Sequence, residues 1–240
     1  LFQLRPHYVL KDADFSCSGN SDPAYLAQCF KEVCTIESED GIVFDVNTIT
    51  TSEIRKELQY GGTCISMFAY IANVRIPLQF DIGFGDSIFP EATLTEYPTL
   101  LGQPSPKLKI YSRYSVIAEK FEAMVNLGMG NSRLKDFYDI WLLSMQFDFE
   151  YTTLQNAINH TFSRRDTLLP VGKYPLGLTA EFGANPTKQI QWEAFCKKTN
   201  PKDAPQVLSV AIERIRIFLE PVIFTSSATP TQWRAGNGWQ

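Results

Sequence analysis

The chain has 240 residues, 44% hydrophobic and 13% aromatic, enough for one large domain or two small ones with proper cores. It has no apolar run of the roughly 18 residues that a membrane-spanning helix needs, so no membrane partner is expected. The net charge of −4 argues against a nucleic-acid partner on overall charge alone, but the halves differ. Residues 1–150 carry 12 basic and 20 acidic side chains, and residues 151–240 carry 10 and 6. An acidic half with cation sites joined to a basic half can hold a polyanion against a metal; ordinary surface variation gives the same numbers. Five cysteines without a C-x-x-C pair read as free thiols in a reducing cytoplasm, not as a zinc site. Leu1–Arg5 is too short for a signal peptide and reads like the middle of an element.

The first half predicts a mixed α/β core. A strand is expected around Asp12–Phe15, then a polar turn in which Asp22 caps and Pro23 opens a helix over Ala24–Val33, burying Leu26, Phe30 and Val33. Gly41–Val46 predicts a strand, and Ser52–Leu58 a short helix or an irregular stretch. Thr63–Tyr70 and Arg75–Gly83 are expected as adjacent antiparallel strands turning at Asn73. Pro90, Pro98, Pro104 and Pro106 exclude a long helix and mark a connector. Beyond it helices dominate: Ser115–Leu127 capped by Ser115, Leu134–Gln146, Thr152–Phe162, and Ala204–Leu219 with Val207, Val210, Ala211, Ile215 and Phe218 inward. Thr167–Thr187 predicts a loop and Thr225–Gln240 a loosely held polar tail on which Trp233 and Trp239 can dock.

The acids carry the chemistry. On a strand Asp12 and Asp14 project together, while Asp81 projects away from Phe80 and Ile82. If the two strands are neighbours, three carboxylates converge and repel unless cations such as Mg²⁺ sit among them. A D-x-D plus one acid on the next strand is what two-metal phosphoryl or nucleotidyl transfer requires. A D-x-D by itself also suits ordinary surface strand residues. Asp81 is the stronger signal, because an acid inside an apolar strand is costly without a partner. Asp86 competes for its role from a loop. Lys120 reads either as a solvated lysine pairing with neighbouring acids or as a point charge for phosphate. Arg133–Asp139 packs four charges into seven residues, with Asp136 and Asp139 on one helix face; the helix dipole alone also accounts for Asp136.

In this order the pieces resemble the AbiEii/AbiGii toxin family of nucleotidyltransferases, within the DNA polymerase β-like superfamily. Lys11–Phe15 is similar to its first carboxylate motif, Gln79–Ile82 to its third-carboxylate strand, Val116–Ala123 to its lysine-bearing helix, and Arg133–Ile140 to its fourth motif. The resemblance covers Leu1 to about Pro221. It implies an α+β fold: a nucleotidyltransferase core with a mixed sheet flanked by helices over residues 1–100, a helical domain over 107–224 with the active cleft between them, and a polar tail over 225–240. It further implies NTP and Mg²⁺ use, a toxin–antitoxin or phage-defence role with a cognate antitoxin, and for some relatives a tRNA acceptor end. By that likeness Asp12 and Asp14 would bind both metals, and Asp81 the catalytic one. Lys120 would bind the triphosphate, Asp136 with Lys135 and Arg133 would position nucleotide or acceptor, and Asp139 would support them. The superfamily's Gly-Gly or Gly-Ser turn before the D-x-D strand is not in the chain. Leu1–Arg5 resembles the segment just after that turn, so a truncation is expected. A non-catalytic nucleotide- or RNA-binding module and a protein-nucleotidylating enzyme are the alternatives.

Overall fold

A computed structural model of the chain describes residues 13–54, 61–85, 87–99, 104–201, 203–224 and 230–240. The fold is α+β, in two units, one made of the described residues within Val9–Asp86 and the other of those within Ser87–Gln240.

The first unit is built on β1 (Ala13–Cys17), α1 (Pro23–Cys34), β2 (Ile42–Ile54), β3 (Gly62–Ile71) and β4 (Val74–Phe84). The sheet order is β1-β4-β3-β2, with β1 parallel to β4 and the other pairs antiparallel. Asp22 starts α1, accepting the Tyr25 N–H at 2.9 Å, and Pro23 supplies a first-turn φ where no donor is needed. We expect Asp22→Ala to lower stability by about 1 kcal/mol in urea unfolding, with an unchanged slope.

Alternation on β3 sets the two faces: Thr63, Ile65, Met67 and Ala69 are buried while the residues between them are not. The buried face packs against α1, where Leu26, Ile65 and Ile82 form a small core and the Phe30 and Phe80 rings stand 5.0 Å apart. Val33, expected inside, is 64% exposed, because it lies on the outer side of α1. The stretch expected as helix or irregular from Ser52 is strand as far as Ile54, since Ser52, Glu53 and Ile54 pair with Cys64, Thr63 and Gly62; residues 55–60 lie outside the described residues. Gly62 is required there, because a Cβ would stand 2.9 Å from the Ile82 carbonyl oxygen.

The second unit begins with a two-stranded ribbon, β5 (Thr93–Glu96) within the proline-rich connector and β6 (Lys107–Ile110) directly after it. It continues through α2 (Arg113–Leu127), α3 (Leu134–Gln146), β7 (Phe149–Glu150), α4 (Tyr151–Arg164), α5 (Ala180–Ala184), α6 (Pro186–Thr199) and α7 (Leu208–Ile223), and ends in β8 (Gln232–Arg234) and β9 (Gly238–Trp239). Its core gathers Phe121, Phe137, Ile140, Leu154, Ile215 and Phe218. Ser112, not Ser115, caps α2, accepting the Ser115 N–H at 3.1 Å; Ser115 is buried and donates to the Phe89 carbonyl.

Helix α7 starts four residues later than the periodicity predicts. Pro205 sits in the expected first turn, its carbonyl taken by the Trp192 indole N–H, and Gln189 Oε1 accepts the Leu208 N–H in place of a local cap. Val207 and Val210, expected inward, are 46% and 55% exposed. The stretch expected as a loop over Thr167–Thr187 holds α5, and α6 begins at Pro186 behind Asn185, which accepts the N–H groups of Thr187 and Lys188. Residues 230–240 are not a loose tail. Trp233 is fully buried and gives its indole N–H to the Ser144 carbonyl at 2.8 Å, and β7-β8-β9 form a small sheet. Among the described residues no helix is long and apolar enough to cross a membrane.

Candidate active site

On the sheet face opposite α1, polar residues line up across all four strands. The register pairs Asp14 with Asp81, Asp81 with Cys64, and Cys64 with Ser52. Directly paired residues on neighbouring strands point to the same face, so the two carboxylates stand side by side. The next row of the same face holds Gln79, Ser66 and Thr50. Gln79 Nε2 donates to Asp81 Oδ1 at 3.1 Å, and Cys64 Sγ lies 3.8 Å from Ser66 Oγ. Burial, then a hydrogen bond to Asp81, push the Cys64 thiol above its ordinary value, so it stays a protonated neighbour of the carboxylate. Asp14 is exposed and Asp81 half-buried.

Asp12 and Asp86 lie outside the described residues. Among the described residues no group of three or more His, Cys, Asp or Glu is placed to hold a metal ion. Asp14 and Asp81 are hard oxygen donors of the kind Mg²⁺ takes, and they fit part of a magnesium ligand set.

The second unit carries a separate charged cluster. Lys120 Nζ lies 2.7 Å from Asp136 Oδ1 and 2.8 Å from Asp139 Oδ2, so α2 is clamped to α3. Arg133 Nε is 2.9 Å from Asp136 Oδ2, and Lys135 Nζ 3.2 Å from Asp139 Oδ2. The two aspartate side chains are 3% and 1% exposed, that of Lys120 12%, and those of Arg133 and Lys135 42% and 40%. Burial disfavours the charge on Lys120, but the carboxylates of Asp139 and Asp136 outweigh it, and its pKa lies above the ordinary value. Arg133 and Lys135 lie on the exposed side of the cluster. Next to Asp139, burial first and that carboxylate second push the Tyr138 hydroxyl up to about 12.

Lys120 is therefore not the solvated lysine that spacing alone allows. The acids on its own helix go elsewhere: Arg165 lies 2.8 Å from Glu122 and 3.8 Å from Glu119, and Thr167 also donates to Glu122. The structure thus brings Lys120, Arg133, Lys135, Asp136 and Asp139 together in one unit, and Asp14 with Asp81 in the other. Sequence reasoning did not find Cys64, Ser66 and Gln79 beside Asp81. The alternation of Thr63, Ile65 and Met67 with Cys64 and Ser66 was the available signal, but it needed the register to become a site.

A family model described as the nucleotidyl transferase AbiEii toxin of type IV toxin–antitoxin systems matches residues 11–220. No curated protein and no solved structure matches the chain.

Proposed function

Because the chain belongs to the AbiEii family of nucleotidyl transferase toxins of type IV toxin–antitoxin systems, we propose that it moves a nucleoside monophosphate from an NTP to an acceptor hydroxyl with the help of Mg²⁺. The acceptor we propose is an RNA 3′ end, that of tRNA foremost, in the cytoplasm, as the toxin of a defence system with a cognate antitoxin. The observation that carries this reading is the pairing of Asp14 with Asp81 on an otherwise uncharged row of the sheet. Asp14 and Asp81, with Asp12, would hold the metal. When bound, the ion neutralises charge on the triphosphate and lowers the cost of ionising the attacking hydroxyl.

The chain's own groups do the rest. Asp81 would help hold the ion and take the proton from the acceptor hydroxyl, whose oxygen bonds to the α-phosphorus as the bond to the leaving pyrophosphate breaks. In the helical unit, Lys120 holds Asp136 and Asp139 in place, and Arg133 and Lys135, on the exposed side of these acids, would meet phosphate oxygens. The test is incubation of the protein with each labelled NTP, Mg²⁺ and total tRNA. We expect label on RNA with one NTP preferred and none in EDTA. Label on protein instead would point to a protein-nucleotidylating enzyme, and NTP binding without any transfer to a non-catalytic module.

A further inference from the structure

Asp81 has four neighbours on its face of the sheet. Asp14 stands on one side, Cys64 on the other, Gln79 two residues before it and Gly83 two residues after. These four are not alike. Gly83 has no side chain, nor has its register partner on β3, Gly62, while its partner on β1 is Ser16. On the opposite side Gln79 reaches forward along the strand, and its Nε2 lies 3.1 Å from Asp81 Oδ1. An ionised carboxylate only accepts, so the amide must present its NH₂ group there.

A carboxylate on a strand turns freely about its Cβ–Cγ bond unless something holds an oxygen. The bond from Gln79 commits Oδ1 and fixes the plane of the group, and the Cys64 thiol is a second donor to the same carboxylate. Groups that hold a metal ligand in this way commonly contribute ten- to a hundredfold to metal affinity. The bland account is an exposed polar pair worth a few tenths of a kcal/mol. It is the weaker account here, because both residues are half-buried and the bond is directed at an acid that the opposite strand already faces with Asp14.

We propose that Gln79 is a positioning residue: by holding Oδ1 of Asp81 it fixes the plane in which the carboxylate, beside Asp14, meets the divalent cation. The inference rests on the reading of Asp81 as a metal ligand. The test measures Mn²⁺ binding by the loss of the free-ion electron paramagnetic resonance signal, without turnover, for the wild-type protein, Gln79→Met and Asp81→Asn. Thermal unfolding of each metal-free protein is recorded alongside.

Gln79→Met conserves length and bulk and removes the amide, and with it the donor to Asp81. We expect its Mn²⁺ dissociation constant to rise about tenfold with an unfolding midpoint within about 2 °C of wild type. Gln79→Glu, which keeps the reach but cannot donate when ionised, should fail to recover the wild-type spectrum of bound Mn²⁺ even where it binds the ion. Wild-type affinity in Gln79→Met, with binding abolished in Asp81→Asn, overturns the role of Gln79 and leaves the metal site standing. Equal binding by wild type and Asp81→Asn overturns both.

Discussion

Replacing Lys120 by methionine will destabilise the helical unit by about 3–5 kcal/mol, the cost of stranding buried carboxylates after removing their counter-ion. Lys120 is the only cation within ion-pair distance of both Asp136 and Asp139 among the described residues, and those side chains are 3% and 1% exposed. Arg133 and Lys135 each touch one carboxylate of the pair and are about two-fifths exposed, so Arg133→Met and Lys135→Met should cost less than about 1 kcal/mol each. Chemical unfolding of the three variants provides the measurement, and equal effects would sink the clamp. A second substitution, Asp139→Asn in the Lys120→Met background, should recover part of the loss, because the two residues act as one network.

The pH dependence has a definite sign. The folded-state pKa of Lys120 lies above its ordinary value of 10.5, so the ion pair contributes in full at neutral pH and up to that value. The contribution is lost only as pH rises through the higher folded-state pKa. Between pH 7 and 9 the stability gap between wild type and Lys120→Met should therefore stay constant.

Elements with a strong local signal were legible in the sequence, and those held by distant partners were not. Helix α3 spans Leu134–Gln146 as its periodicity predicts, and Asp22–Pro23 announced α1. Helix α6 has the same cap-and-proline start at Asn185–Pro186, but Trp192 is its only fully buried side chain, so no apolar stripe revealed it. The start of α7 depends on Gln189, nineteen residues away in the chain, and no local reading finds such a cap. At the candidate site, alternation told which way Asp14 and Asp81 face. It did not tell that β1 lies parallel to β4 with these two in register, since strand neighbours are set by the whole sheet. The partners of Lys120 were hidden for the same reason: sixteen and nineteen residues separate it from Asp136 and Asp139, and only the packing of α2 on α3 joins them.

Asp81→Asn should reduce nucleotidyl transfer on the order of 10³-fold, since a metal ion supplies several kcal/mol of charge stabilisation in such a reaction and each 1.36 kcal/mol is tenfold in rate. Loss of activity alone would not separate chemistry from damage to the fold, but electrostatics supplies a second readout of opposite sign. Like charges directly opposite on neighbouring strands destabilise a sheet by a few tenths to about 1 kcal/mol, and Asp14 faces Asp81 in register. In EDTA, therefore, Asp81→Asn should melt slightly higher than wild type, because the substitution removes the repulsion and conserves shape. Addition of Mg²⁺ should raise the melting temperature of wild type and leave that of the variant unchanged. Asp14→Asn should behave in the same way, and the double variant should be scarcely less active than either single one, since both side chains serve one ion. Glu37→Gln, which removes an equal charge from an exposed loop of the same unit, is the control and should change neither readout. If Asp81→Asn melts lower than wild type in EDTA and still gains stability from Mg²⁺, the aspartate is a structural partner of Gln79 and Cys64, and the metal lies elsewhere.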